Sequence, residues 1–144
     1  MMRGVVHLLG ILLLVAGWTP AQTGHTDEHA AGQVIRGKLE GLRDGSPVLK
    51  TDHGRLVGLE GDRETVAVLS DKRLAGRRMG LQGHFVAKDR FRVAPFHRKA
   101  FWVLEHGKKL YVSYWCSTCS IRTYTPGICM CCQRETELEL REAR

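Results

Sequence analysis

Gln33-Val34-Ile35-Arg36-Gly37-Lys38-Leu39-Glu40-Gly41-Leu42, stopped by Asp44-Gly45-Ser46-Pro47 and resumed at Val48-Leu49-Lys50-Thr51, is the stretch that decides the fold. Val34 to Leu42 reads as a first strand. Asp, Gly, Ser and Pro in succession supply turn chemistry, and Val48 to Thr51 reads as a second strand. Asp52-His53-Gly54 then separates it from Arg55 to Glu60, which is a hairpin signal. Working outward, Val66, Ala67 and Leu69 follow a capping residue, Asp62, and predict one or two turns of helix over 64–69. Met79, Leu81, Gly83 and Phe85 alternate with Gly80, Gln82 and His84, a strand with one buried face. Lys88-Asp89 turns the chain, Phe91 and Val93 alternate with Arg90 and Arg92, and Ala100 to Leu104 continues in extended style.

The order is three strands, a short helix and two strands, over residues 33–104, with glycines where a small barrel must coil sharply. It resembles an OB-fold, a five-stranded barrel. An SH3-like barrel or another five-stranded roll would give a similar string. Fold alone assigns no activity. No Gly-x-Ser-x-Gly elbow, Walker loop, His-Glu-x-x-His or Rossmann glycine run occurs, so the chain reads as non-catalytic. His53, His84, His97 and His106 are scattered and read as surface or turn residues. Phe85, Phe91, Phe96, Phe101 and Trp102, beside Arg90, Arg92, Arg98 and Lys99, are the composition of a stacking platform. Alternating aromatics are more often barrel core.

Chemistry concentrates near the end of the chain. All five cysteines fall between Cys116 and Cys132, in Tyr114-Trp-Cys-Ser-Thr-Cys-Ser-Ile-Arg-Thr-Tyr-Thr-Pro-Gly-Ile-Cys-Met-Cys-Cys-Gln133. Cys116-x-x-Cys119 and Cys129-x-x-Cys132 offer four thiolates, the closed tetrahedral set that structural zinc prefers. Leu110, Val112 and Tyr114 alternate with Tyr111, Ser113 and Trp115, a strand entering the site. Ile121 to Tyr124 extends away from it. Pro126-Gly127 fits the centre of a type II turn that brings the second pair back. Thr136, Leu138 and Leu140 then share one face of a last strand, opposite Glu135, Glu137, Glu139 and Arg141.

Strand, knuckle, turn, knuckle and strand over residues 109–141 resembles a zinc ribbon. Ribbon knuckles usually place glycine after the second cysteine, whereas Ser120 and Gln133 stand there. Cys131 is surplus to four ligands, and an alternative set exchanges Cys129 for Cys131. Adjacent side chains of an extended chain point opposite ways, so Cys131 should face away from the site unless the backbone turns sharply. The arrangement also resembles exported bacterial proteins of unknown function that end in Thr-Tyr-Thr-Pro-Gly…Cys-x-Cys-Cys-Gln, a likeness that supplies no activity. Three readings of the cysteines stay open: structural zinc, Cu(I) on a thiolate-dense cluster, and disulfides or thiol exchange in an oxidising compartment. An inert, buried site would favour the first; a labile site with a solvent-reachable Cys131 would favour metal handling or redox chemistry.

At the other end, Arg3, the apolar run Val5 to Ala16 and Thr19-Pro20-Ala21 make a signal peptide over 1–21, cut after Ala21. The run is well short of the roughly 20 apolar residues that span a bilayer. Residues 22–32 are small and polar, a flexible leader. In it His25 and His29 are four apart, but nothing apolar would hold them on a helix. The 144-residue chain carries a net charge of +7, of which Arg3 in the segment 1–21 supplies one, so the cleaved form would keep +6; this suits an anionic or protein partner, and an exported protein rarely meets nucleic acid. The expectation is therefore an exported, mainly β binding or scaffold module. A five-stranded barrel with one short helix (33–104) is followed by a cysteine hairpin (105–141) that holds Zn, or alternatively Cu(I), on Cys116, Cys119, Cys129 and Cys132.

Overall fold

The computed structural model describes residues 32–95 and 97–142. The targeting segment read at 1–21, His25 and His29, and all of the leader except Gly32 lie outside them, as does Phe96. Among the described residues no helix is long and apolar enough to cross a membrane.

Among the described residues nine strands form one sheet: β1 (Gln33–Arg43), β2 (Ser46–Thr51), β3 (Leu56–Glu60), β4 (Arg78–Ala87), β5 (Arg90–Val93), β6 (Phe101–Glu105), β7 (Lys108–Cys116), β8 (Ile121–Thr123) and β9 (Glu137–Glu142). The first five close on themselves in the order β1-β2-β3-β5-β4 and back to β1. Every pairing in this barrel is antiparallel except β3 with β5. Closure removes the exposed edges an open sheet would leave.

Local chemistry sets the corners. Asp44 and Gly45 both take positive φ, 52° and 79°, the two-residue turn whose twist suits a hairpin. A bulge between Leu39 and Gly41 bends β1. Two glycines permit the coiling: a Cβ on Gly37 would stand 2.2 Å from the Lys50 carbonyl oxygen, and one on Gly83 would stand 2.0 Å from that of Arg92.

Helix α1 (Arg63–Leu69) links β3 to β4 and begins where the cap was read, with Asp62 Oδ1 accepting the Thr65 N–H at 2.7 Å. Seven residues are too few for a helix to persist alone. It is held by sinking Val68 and Leu69 into the core beside Leu39, Leu49 and Phe91. A 3₁₀ turn over Lys72–Leu74 follows, capped by Asp71.

The barrel continues into the second half of the chain through β4. Its residues 78–83 pair with β1 along one edge; along the other, 79–81 pair with β6 and 83–87 with β5. A second short helix, α2 (His97–Ala100), stands where extended chain was expected to begin, and it carries the chain from β5 to β6. β6 pairs with β7, and Ala100, Phe101, Val103, Val112 and Tyr114 join the same core as the barrel residues. The aromatics are thus core: Phe91, Phe101 and Trp102 are buried and Phe85 stacks edge-on against Phe91. Trp102 lies over Gly80, where a Cβ would meet its ring at 2.5 Å. His97 departs from the surface reading. It is buried at the start of α2, with Nε2 3.0 Å from the Tyr124 carbonyl oxygen.

Candidate metal centre

β7 is the spine of the cysteine region. β9 pairs along one edge over 110–115, while β6 and then β8 occupy the other. Cys116 ends β7. The chain turns through Ser117–Ser120 and returns as β8, with Cys116 opposite Ile121. After bends at 124–127 and a bridge between Ile128 and Glu135, a second turn carries Cys129 to Cys132 and feeds β9. Gly127 has a positive φ, but at 143° it is far from the roughly 80° of a type II turn, and the chain bends at 124–127 instead of making the turn expected there. The Gly127 carbonyl accepts from Thr136 N at 2.9 Å and Thr136 Oγ1 at 2.8 Å, fixing the exit of the second turn to its entry.

The two turns are built alike. Ser120 N donates to the Cys116 carbonyl at 2.8 Å, and Gln133 N to that of Cys129 at 2.9 Å. Ser120 and Gln133 both adopt left-handed backbone, φ 53° and 60°. Neither residue is glycine, so both turns close with the backbone strain left in. In each turn the amides two and three residues on point at the first cysteine's sulfur. The Cys132 and Cys131 N–H groups lower the Cys129 thiol to about 7. Those of Cys119 and Thr118 act the same way on Cys116. There burial and the neighbouring Cys132 and Cys129 thiols prevail and the thiol stands raised.

The sulfurs of Cys116, Cys119, Cys129 and Cys132 all lie within 4.8 Å of one another. A tetrahedron with metal–sulfur bonds of about 2.3 Å has edges of about 3.8 Å, so the set can close around one ion with sub-ångström movement. Cys116 Sγ and Cys132 Sγ are 3.4 Å apart, well beyond the ~2.05 Å of a disulfide bond. Cys116 and Cys129, one from each turn, are buried; Cys119 and Cys132 are half-buried. Cys131 is exposed and outside the four. It is the foremost influence holding the Cys119 thiol above the ordinary range, followed by Cys132 and burial.

A part-buried polar network that the sequence reading did not find anchors this centre to the barrel. Tyr114, fully buried two residues before Cys116, donates its hydroxyl to Asp71 Oδ2 at 2.9 Å. Arg73 donates to the same carboxylate through Nε and Nη2, and through Nη1 to the Thr136 carbonyl at 2.8 Å. Burial alone would raise the Asp71 carboxyl; the Arg73 and Tyr114 hydrogen bonds outweigh it and hold it below the usual range. The local signal was Asp71 two residues before Arg73, a cap with its own cation. Across β8 and β9, Arg122 pairs with Glu139 at 2.8 Å and lies over the Trp115 ring.

The fold and site together define a mainly β protein in which a closed five-stranded barrel continues into strands that carry a four-cysteine cluster able to hold a metal. Compared with known protein families, curated proteins and solved structures, the chain matches none.

Proposed function

We propose that this is an exported, non-catalytic binding or scaffold module in which the four cysteines hold a structural zinc ion. One observation carries the reading: two turns of the same construction bring four thiols within 4.8 Å where β7, β8 and β9 meet. Thiolate ligands in a closed tetrahedral set suit zinc. The strand–knuckle–strand order supports a zinc-ribbon-like hairpin. The order β1-β2-β3-β5-β4, with a helix between β3 and β4, supports an OB-like barrel. Export rests on the segment 1–21, and an anionic or protein partner on the positive net charge, +7 for the full chain and +6 without that segment. A partner of that kind would find Arg36, His53, Arg55 and Phe85 around an open hollow of about 790 Å³ on the barrel.

The test is elemental analysis with a thiol count on protein isolated from its native compartment. One zinc per chain is expected, with a single rapidly reacting thiol, Cys131. Metal-free protein with oxidised cysteines would overturn the site. Intact mass of the exported form should begin at Gln22; retention of Met1 would remove the export claim. The second reading is a periplasmic metal-handling or thiol-redox protein, and it is favoured by the exposed Cys131 next in sequence to the cluster residue Cys132. Copper in the elemental analysis would select it.

A further inference from the structure

The outward face of the sheet carries positive charge that the cysteine centre does not use. In β1, Lys38 stands directly opposite Lys50 of β2 on one side and Arg78 of β4 on the other. Leu104 of β6 follows in the same row, one residue beyond the paired 79–81 and 101–103, and opposite it is Lys109 of β7. The neighbouring row holds Arg36, opposite Gly80, and then Trp102. Lys38 precedes the core residue Leu39 on its strand, so the row points outward, and Arg36, Lys38, Lys50, Arg78 and Lys109 are all exposed. Lys109 Nζ lies 4.1 Å from the centre of the Trp102 ring. With strands about 4.8 Å apart, the row from Lys50 to Lys109 runs about 19 Å across five of them.

Like charges directly opposite one another destabilise a sheet, and Lys38 has one on each side. Asp52 answers only Arg78, at 2.7 Å. Among the described residues Arg36, Lys38, Lys50 and Lys109 pair with no carboxylate. Glu40 stands at the β1 bulge, beyond the two rows. From this arrangement we infer that the outward face of β2, β1, β4, β6 and β7 docks on an anionic lipid bilayer, with the five cations against the headgroup layer. The inference rests on the anionic-partner reading above and gives that partner a face and a chemistry. The charges spread in two directions, across five strands and over two rows. A linear polyanion would cover them in part; a layer of headgroups covers them together. Single-stranded nucleic acid is held by open aromatic faces on which its bases stack, whereas Trp102 is 4% exposed with Lys109 over its ring. The bilayer also offsets the repulsion that Lys38, Lys50 and Arg78 hold in the free protein.

The experiment measures sedimentation of the purified full chain with vesicles of phosphatidylcholine alone, or of phosphatidylcholine and phosphatidylglycerol in equal parts. Neutral vesicles report whatever binding an apolar segment gives, and the difference reads the charge. A basic residue at an anionic surface is worth about fivefold in affinity, so Lys38→Gln/Lys50→Gln should bind the mixed vesicles about 25-fold more weakly. Arg63→Gln/Lys88→Gln removes the same charge from outside the two rows and should lose less than about fivefold. Salt near 1 M shortens the screening length to about 3 Å and should abolish the difference between the two vesicles. Urea unfolding should place the Lys38→Gln/Lys50→Gln midpoint at or above wild type, because the facing charges are gone. Where that midpoint falls instead, Arg36→Gln decides: about fivefold weaker binding supports the inference, and unchanged binding overturns it. Equal weakening in the two double variants overturns it, since net charge alone then accounts for the binding. Binding of heparin or a single-stranded oligonucleotide without binding to the mixed vesicles also overturns it, and leaves the anionic-partner reading standing. A chain that binds none of the three removes both.

Discussion

Ser120→Gly should stabilise the protein, and the amount follows from one dihedral angle. Ser120 closes the first knuckle with φ 53°. Left-handed backbone costs a non-glycine residue about 1–2 kcal/mol. Glycine escapes that cost but gives back about 0.5–1 kcal/mol through its greater freedom in the unfolded chain. The net gain is about 0.5–1 kcal/mol. Gln133, φ 60°, occupies the matching place in the second knuckle, but its side chain also donates to the Met130 carbonyl at 3.3 Å. Losing that long, exposed bond forfeits about 0.5 kcal/mol, so Gln133→Gly should gain less. Ser120→Ala keeps the strain and should be nearly neutral. Urea unfolding of zinc-loaded protein reads the difference, with a midpoint shift of about 0.3–0.5 M for a slope typical of small proteins. Where the knuckle orders only with the ion, the same energy appears as two- to fivefold tighter zinc binding. A Ser120→Gly midpoint at or below that of Ser120→Ala, with no gain in zinc affinity, would refute the argument.

Three further expectations concern the frame around the site. Tyr114→Phe removes a hydrogen bond to a buried carboxylate and should cost about 1.5–3 kcal/mol in urea unfolding; a change under about 0.5 kcal/mol would mean the hydroxyl is dispensable. The Asp71 carboxyl is held below its usual range, so its stabilising contribution is present above its unfolded value near 3.8 and is lost as pH falls through the folded value. The stability gap between wild type and Asp71→Asn should therefore narrow below about pH 4, and a gap constant from pH 6 to pH 3 would contradict the assignment. Gly83→Ala forces a Cβ to within 2.0 Å of the Arg92 carbonyl oxygen, and should cost about 3 kcal/mol or more, seen as a lost or sharply lowered thermal transition by circular dichroism.

The barrel was legible because its signals are local. Alternation at 79–85, the Asp44-Gly45 turn and the Asp62 cap each act within a few residues of where they are written, and the structure puts β4, the first hairpin and α1 there. Closure itself was less legible. β1 and β4 meet across some 40 residues, and nothing in either says that β4 will divide one edge between β5 and β6. Helix α2, a single turn of four residues, is too short to show a helical period, so its buried His97 read as a surface group.

At the site, Cys-x-x-Cys spacing marked the four gathering thiols because the spacing itself sets the knuckle. The backbone conformation at Ser120 and Gln133 was the opposite case: neither residue type advertises positive φ, yet the hydrogen bonds to Cys116 and Cys129 impose it. Tyr114 read as one more apolar position on a strand, since its partner Asp71 lies 43 residues earlier. That pairing changes how the two halves relate. Tyr114 leads into the first knuckle and Thr136 leads out of the second, and both are fastened to the Asp71–Arg73 turn that follows α1. Val112 and Tyr114 also fill the core that the barrel strands share. An ion that favours the closed knuckles binds only the folded form, and so stabilises whatever unfolds together with them. With one sheet, one shared core and a part-buried ion-paired tether, an ion bound at the cysteines would stabilise barrel strands far from any sulfur as well.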